Sequence, residues 1–272
     1  MIIDFHTHIF PEKIAKSTLD VLSFNSGNIP FSDGTEQGLY NALNIANADL
    51  AITLPVLTKP SQFDSVAHFS MSINQKQSGD FPKIIAFAGM HPDCENVKEK
   101  MAFLKENGFL GIKIHPDYQS TFIDDERYIT ILKYAKDYDL IVVTHSGVDE
   151  GYSGQPVRCT PERVLKVIEK VGHSKFVLAH YGAHQLWQEV LDKLCGKDVY
   201  FDTADTLHEI DKEMFKKIID KHGEDRILFA TDSPWKGIKE ELGIFKSYNL
   251  NRQAEEKILY KNALKLLNIQ EK

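Results

Sequence analysis

Ile2-Ile3-Asp4-Phe5-His6-Thr7-His8-Ile9 is a β-branched and aromatic run that carries two histidines at i and i+2. On a strand, side chains two apart leave the same face about 6.6 to 6.8 Å from one another along the backbone, so two imidazoles can converge on one ion. On a helix the same pair would diverge. A strand that merely contains two histidines is the plain alternative. The balance is decided by the rest of the chain, where further strand-like runs end in a histidine or an aspartate.

The strand-like runs after the first are Leu50 to Val56, Lys83 to Gly89, Gly111 to Pro116, Leu140 to His145, Lys175 to His180, Val199 to Thr203 and Arg226 to Asp232. Helical patterns separate them, near 12–24, 35–48, 62–77, 96–107, 125–138, 160–171, 185–195 and 211–222, and two more, near 239–246 and 252–267, close the chain. Thr160-Pro161-Glu162 shows the local logic: a threonine cap, a proline at the first helical position and an acidic first turn. Alternating strands and helices indicate parallel pairing, and apolar runs such as Leu140 to Val143 indicate burial on both faces. The expected fold is therefore α/β, a (β/α)8 TIM barrel over residues 1–272 as one domain, with an open doubly wound sheet as the competing architecture. The long connection between the first two strands is expected to serve as a lid.

Pro11, Pro55, Pro92, Pro116 and Pro234 fall at or just past the C-terminal ends of strands, where a residue without an N–H can end the ladder. His6 and His8 on the first strand, His145 after the fifth, His180 after the sixth and Asp232 after the eighth lie at that same end. In a closed barrel this is the face on which function is built. Imidazoles with a carboxylate suit Zn²⁺, with Mn²⁺, Fe²⁺ or Co²⁺ as alternatives.

With 272 residues, 42% hydrophobic and 26% charged, and a formal charge of -7, the chain lacks the basic surface that nucleic acid or an anionic membrane requires. No run reaches 18 apolar residues, and nothing resembling a signal peptide precedes the first strand. Cys94, Cys159 and Cys195 form no C-x-x-C pair, which fits a reducing compartment. A cytoplasmic enzyme acting on a small molecule is expected, and a homo-oligomer is left open.

Taken together, the His-x-His of strand one, the strand-terminal His145 and His180, and Thr231-Asp232-Ser233-Pro234-Trp235 on strand eight resemble the amidohydrolase superfamily, more narrowly its family 2. The resemblance spans essentially the whole chain. It implies a distorted metal-dependent TIM barrel that hydrolyses an amide, ester or lactone, or in some members decarboxylates an aromatic or unsaturated acid without oxidation. It also implies roles: His6, His8, His145 and Asp232 as metal ligands, with Asp232 also moving protons, and His180 as a water-orienting base or a ligand of a second ion. Lys113, in phase with His115 on strand four, would bridge two metals if carboxylated. A single metal beside a free Lys113 ammonium is the favoured expectation.

Arg158 is the candidate for a substrate carboxylate because of its forked donors, with Tyr152 and Trp235 as further substrate contacts. His91 and His115 either line the site or cap loops. Tyr118, Asp149, Tyr181 and His184 are expected mostly as surface or packing residues, and His68, His173, His208 and His222 as surface histidines.

Overall fold

The computed structural model describes residues 1–76 and 83–271. In chain order the elements are β1 (Ile3–Thr7), α1 (Glu12–Ser26), α2 (Glu36–Ala46), β2 (Leu50–Thr53), α3 (Phe63–Lys76), β3 (Ile84–Ala86), β4 (Ala88–Gly89), α4 (Val97–Glu106) and β5 (Gly111–Ile114). They continue as α5 (Glu126–Asp137), β6 (Ile141–Thr144), α6 (Pro161–Val171), β7 (Phe176–Leu178), α7 (Trp187–Glu189, prolonged by a π-helical turn Val190–Leu194), β8 (Tyr200–Asp202), α8 (Lys212–His222) and β9 (Ile227–Leu228). Helices α9 (Ile238–Ser247), α10 (Arg252–Glu256) and α11 (Asn262–Leu267) follow, the last two joined by a π-helical turn at Lys257–Lys261. The expected end of the third helix at Gln77 lies outside the described residues.

All strand pairs are parallel, in the orders β1-β2-β3 and β4-β5-β6-β7-β8-β9. The expected third strand is in two pieces because Phe87 interrupts it: Phe87 N–H donates to the Thr53 carbonyl, and Met90 N–H then donates to that of Lys113. The other seam is closed by backbone bonds between the first and last strands. Phe5 N–H reaches Phe229 O at 2.9 Å, Asp232 N–H reaches His6 O at 2.9 Å and His8 N–H reaches Ser233 O at 2.6 Å, with Thr7 bridging Ser233 in parallel. These bonds make the sheet a barrel.

Side chains reinforce that seam. Asp4, fully buried, accepts from Thr231 N–H at 3.0 Å through Oδ1 and from the Thr231 hydroxyl at 2.6 Å through Oδ2. Burial lifts its pKa to about 7, against the pull of those donors. The α6 termini follow the sequence signals: Thr160 Oγ1 accepts from Arg163 N–H, Pro161 opens the helix, and Gly172 at φ 59° ends it. The apolar strand residues Ile141, Val142 and Val143 are buried, as parallel strands sheathed by helices require.

Two histidines depart from the expected surface placement. His173 and His222 are buried because each finds a carbonyl: His173 Nε2–H donates to Leu140 O, and His222 donates through Nε2–H to Val199 O while stacking on Phe201 at 3.9 Å. On α1, by contrast, Val21 and Phe24 face solvent.

Glu241 on α9 is 3% exposed, and its Oε2 has no hydrogen-bond partner. Burial lifts its pKa from 4.5 to about 8. A carboxyl raised on folding contributes fully to stability below its unfolded value, and that contribution is lost as pH climbs through the folded value. Glu241→Gln should therefore match the wild type closely at pH 5 and exceed it at pH 8.5, by on the order of 2 kcal/mol. Denaturant unfolding at the two pH values measures this, and an equal difference at both would remove the charge from the explanation.

Candidate metal centre and cavity

Strand β1 delivers His6 and His8 to the mouth of the barrel on one face, and the closing seam places Asp232 against them. His6 Nε2 and His8 Nε2 are 3.2 Å apart, and Asp232 Oδ1 lies 3.3 Å from the first and 3.1 Å from the second. The tautomers follow from what the other ring nitrogens face. His6 Nδ1 sits 2.9 Å from Asp202 Oδ2, and His8 Nδ1 sits 2.8 Å from the Leu54 carbonyl. Both partners only accept, so both Nδ1 atoms carry hydrogen and both Nε2 atoms turn lone pairs toward Asp232.

Three acceptors thus face one another, and Asp232 Oδ1 has no hydrogen-bond partner. Such a cluster needs positive charge: Lys113 Nζ, 3.0 Å from His6 Nε2, supplies it on one side, and a shared proton or a metal ion would complete it. Burial alone would raise the Asp232 pKa, and positive charge at His6 and His8 is what holds it well below the ordinary carboxylate range, so the carboxylate stays ionised only with a proton or an ion among the three groups. The donor set also suits a metal in size. With bonds of about 2.0 to 2.1 Å, neighbouring ligands of a tetrahedral ion are roughly 3.3 to 3.4 Å apart, close to the separations here.

Asp232 has φ 69°, and His180 and Tyr181 have φ 60° and 58°. Left-handed backbone at a residue with a side chain costs on the order of 1–2 kcal/mol and persists only where the surroundings over-determine it. At Asp232 the surroundings are the His6 carbonyl and the strand-one seam. At His180 they are Asp202, whose Oδ1 accepts from His180 N–H at 3.0 Å and whose carbonyl accepts from Tyr181 N–H at 2.6 Å.

His145 reaches a different partner from the expected one. Its Nδ1 lies 3.0 Å from His180 Nε2, and its Nε2 has no hydrogen-bond partner and stands 3.9 Å from Asp117 Oδ2. His180 donates through Nδ1–H to Ala204 O, so its Nε2 is an acceptor. Burial pulls its pKa down to about 3, and the ring is neutral at ordinary pH. Lys113 is 1% exposed, with Nζ 3.0 Å from His6 Nε2. Burial draws its pKa down to about 8, while Asp202 and Asp232 draw it up.

These groups floor a cavity of about 630 Å³. Ile9, Phe10, Ile14, Leu22, Val56, Val66 and Phe69 give it an apolar wall, and Tyr118, His115, His184 and Trp235 also line it. Helix α1 therefore contributes to the wall of the cavity. His115 lines the cavity and lies 3.5 Å from Asp149, whereas His91 caps its own loop by accepting from Asp93 N–H. Tyr118, Asp149 and His184, expected mostly as surface or packing, are cavity residues, while Tyr181 packs on Phe215.

Arg158 and Tyr152 are not among the described residues that line this cavity. The Arg158 guanidinium is turned to Asp117 and Gln155, and Tyr152 lines a neighbouring cavity of about 390 Å³. Asp202 went unnoticed in the sequence reading. Its only sequence signal is that it ends a strand-like run as the flagged histidines do, and its partner His6 lies 196 residues away.

The sequence profile of the amidohydrolase family matches residues 3–269. The chain belongs to the amidohydrolase family. No curated protein matches it by sequence. Among solved structures, an uncharacterised TIM-barrel protein from Bordetella bronchiseptica is similar, at 16% identity and a TM-score of 0.73, with 98% of each chain covered. So is a dihydroxybenzoic acid decarboxylase from a Polaromonas species with bound manganese and the inhibitor 2-nitroresorcinol, at 16% identity and a TM-score of 0.73, covering 98% of this chain and 96% of that one. A 5-carboxyvanillate decarboxylase from Novosphingobium aromaticivorans, complexed with manganese and a nitrobenzoic acid, is 15% identical with a TM-score of 0.72, covering 99% and 96%. At these identities the likeness is one of fold, and it agrees with the closed parallel barrel.

His6→Ala and Asp232→Ala should each abolish binding of added Mn²⁺ or Zn²⁺, because each removes one of three facing donors. Arg158→Ala should leave metal binding unchanged. Metal analysis after dialysis checks both, and metal retained by the first two variants would dismantle the centre described here.

Proposed function

We propose that the chain is a metal-dependent, nonoxidative decarboxylase of a small aromatic or unsaturated carboxylic acid. The observation that carries this reading is the opposition of an apolar wall to a floor of metal-ready lone pairs and a buried lysine. The manganese-bound decarboxylases of the same fold support it.

His6, His8 and Asp232 would hold the ion, and His145, paired with His180 through Nδ1, keeps an unpartnered Nε2 that could serve as a further donor. Mn²⁺ and Zn²⁺ both suit the donors. When bound, the ion supplies an electrophile that fixes substrate oxygen and draws electron density toward it. The residues of the chain do the rest. Phe10, Ile14 and Phe69 exclude water from the ring of the acid, which destabilises a localised carboxylate relative to a charge spread over the ring. The Lys113 ammonium gives the departing carboxylate a counter-charge. The bond from ring to carboxyl carbon breaks, its electron pair stays on the ring carbon, and that carbon takes a proton as CO₂ leaves. That proton comes from water, and Asp232 and His180, which border the cavity, are the groups that would relay it, each taking one proton from water as it passes one on.

Hydrolysis of an amide, ester or lactone is the second reading, and one observation favours it. Lys113, whose pKa burial draws down to about 8, could take up CO₂ as a carbamate, and His145 and His180 would be the imidazoles available to hold a second ion. Bound water activated toward a pKa of roughly 7 would then be the nucleophile. We favour a single ion and a free ammonium.

A panel of hydroxylated benzoates and of esters, lactones and amides separates the two. The expected outcome is CO₂ release from the benzoates, one metal per chain, and a Lys113→Ala variant that keeps its ion while its KM rises about tenfold. Hydrolytic turnover with two ions per chain, stimulated by bicarbonate, would establish the second reading.

A further inference from the structure

We infer that Asp202 is a positioning residue that sets the proton on His6 and the backbone of His180 at once, so that metal binding and the placement of His180 depend on a single carboxylate. This inference rests on the metal centre proposed above.

Asp202 ends β8, is fully buried, and spends both oxygens on the site. Oδ2 faces His6 Nδ1 at 2.9 Å. Because an ionised carboxylate can only accept, it fixes hydrogen on Nδ1 and leaves the Nε2 lone pair for the ion. Oδ1 accepts from His180 N–H at 3.0 Å and from Ala204 N–H at 3.1 Å. The Asp202 carbonyl takes Tyr181 N–H at 2.6 Å. His180 and Tyr181, both left-handed, are thereby tied to one residue, and the His180 ring is closed from the other side by Ala204 O on Nδ1. The same ring nitrogens could be satisfied by water on an open surface. In a buried site nothing else among the described residues holds the His6 Nδ1 hydrogen.

Asn is the discriminating substitution. In Asp202→Asn the amide oxygen can still accept from His180 N–H, so the clamp on residues 180 and 181 survives. The amide NH₂ then meets His6 Nδ1 with a donor, which drives the ring hydrogen to Nε2, where the ion should sit. Loss of an outer partner of a metal-bound histidine typically costs about 10- to 100-fold in metal affinity. We expect Asp202→Asn to bind Mn²⁺ and Zn²⁺ about 10- to 100-fold more weakly in chelator competition, with the metal-free protein melting within a few degrees of the metal-free wild type. Histidine ¹⁵N shifts of the metal-free proteins should show His6 passing from the Nδ1–H to the Nε2–H form. Asp202→Ala, which also frees the clamp, should add a loss of thermal stability. An Asp202→Asn variant with wild-type affinity, or an unchanged His6 tautomer, would overturn the inference. If the wild type itself binds no metal, the metal reading fails while the ¹⁵N measurement still decides the role of Asp202.

Discussion

Three acceptors, His6 Nε2, His8 Nε2 and Asp232 Oδ1, are pressed to within 3.1–3.3 Å of one another at the mouth of a closed barrel, and their need for positive charge, met on one side by Lys113 Nζ at 3.0 Å from His6 Nε2, is the constraint on which the site turns. They can stand so close only because the barrel closes between the first and last strands. The bonds from Asp232 N–H to His6 O and from His8 N–H to Ser233 O both build the seam and bring the carboxylate to the imidazoles. Fold and chemistry share those bonds. Asp4, one turn of the pleat below His6, locks the same seam to Thr231.

The barrel was legible because its signals are local. Strand-like apolar runs, helix caps such as Thr160-Pro161 and prolines past strand ends each report on a few residues, and the alternation adds them into one architecture. The His-x-His on strand one was legible for the same reason, since strand phase alone puts both rings on one face. What the sequence hid are the partners across the barrel. Asp202 meets His6 over 196 residues of chain, and Arg158, attractive as a carboxylate fork, is turned to Asp117. Phe87, an unremarkable apolar residue in sequence, splits the third strand because two neighbours draw its backbone in different directions. His173 and His222 were read as surface residues because a carbonyl waiting in the interior leaves no mark in the local pattern.

The larger apolar side chains of the cavity come from one side of it and the donor groups from the other, and that asymmetry gives the site a chemical direction. The wall of Phe10, Ile14, Leu22 and Phe69 comes from α1 and its neighbours, whereas every titratable group on the floor comes from a strand end or the first residues beyond it. Function on such a scaffold is set by the connections, and the long one carrying α1 contributes the surface that a substrate ring would meet. The strained backbone at His180 and Asp232 lies on the floor as well. Rigid strand ends hold those conformations in place, so the donor atoms keep their spacing before any ligand arrives.

Anomalous diffraction at the manganese and zinc edges, from crystals of protein purified without added metal, tests the central claim most directly. The account predicts an anomalous peak bonded to His6 Nε2, His8 Nε2 and a carboxylate oxygen of Asp232. A peak elsewhere, or a metal-free site in which a protonated His8 hydrogen-bonds Asp232, would contradict it.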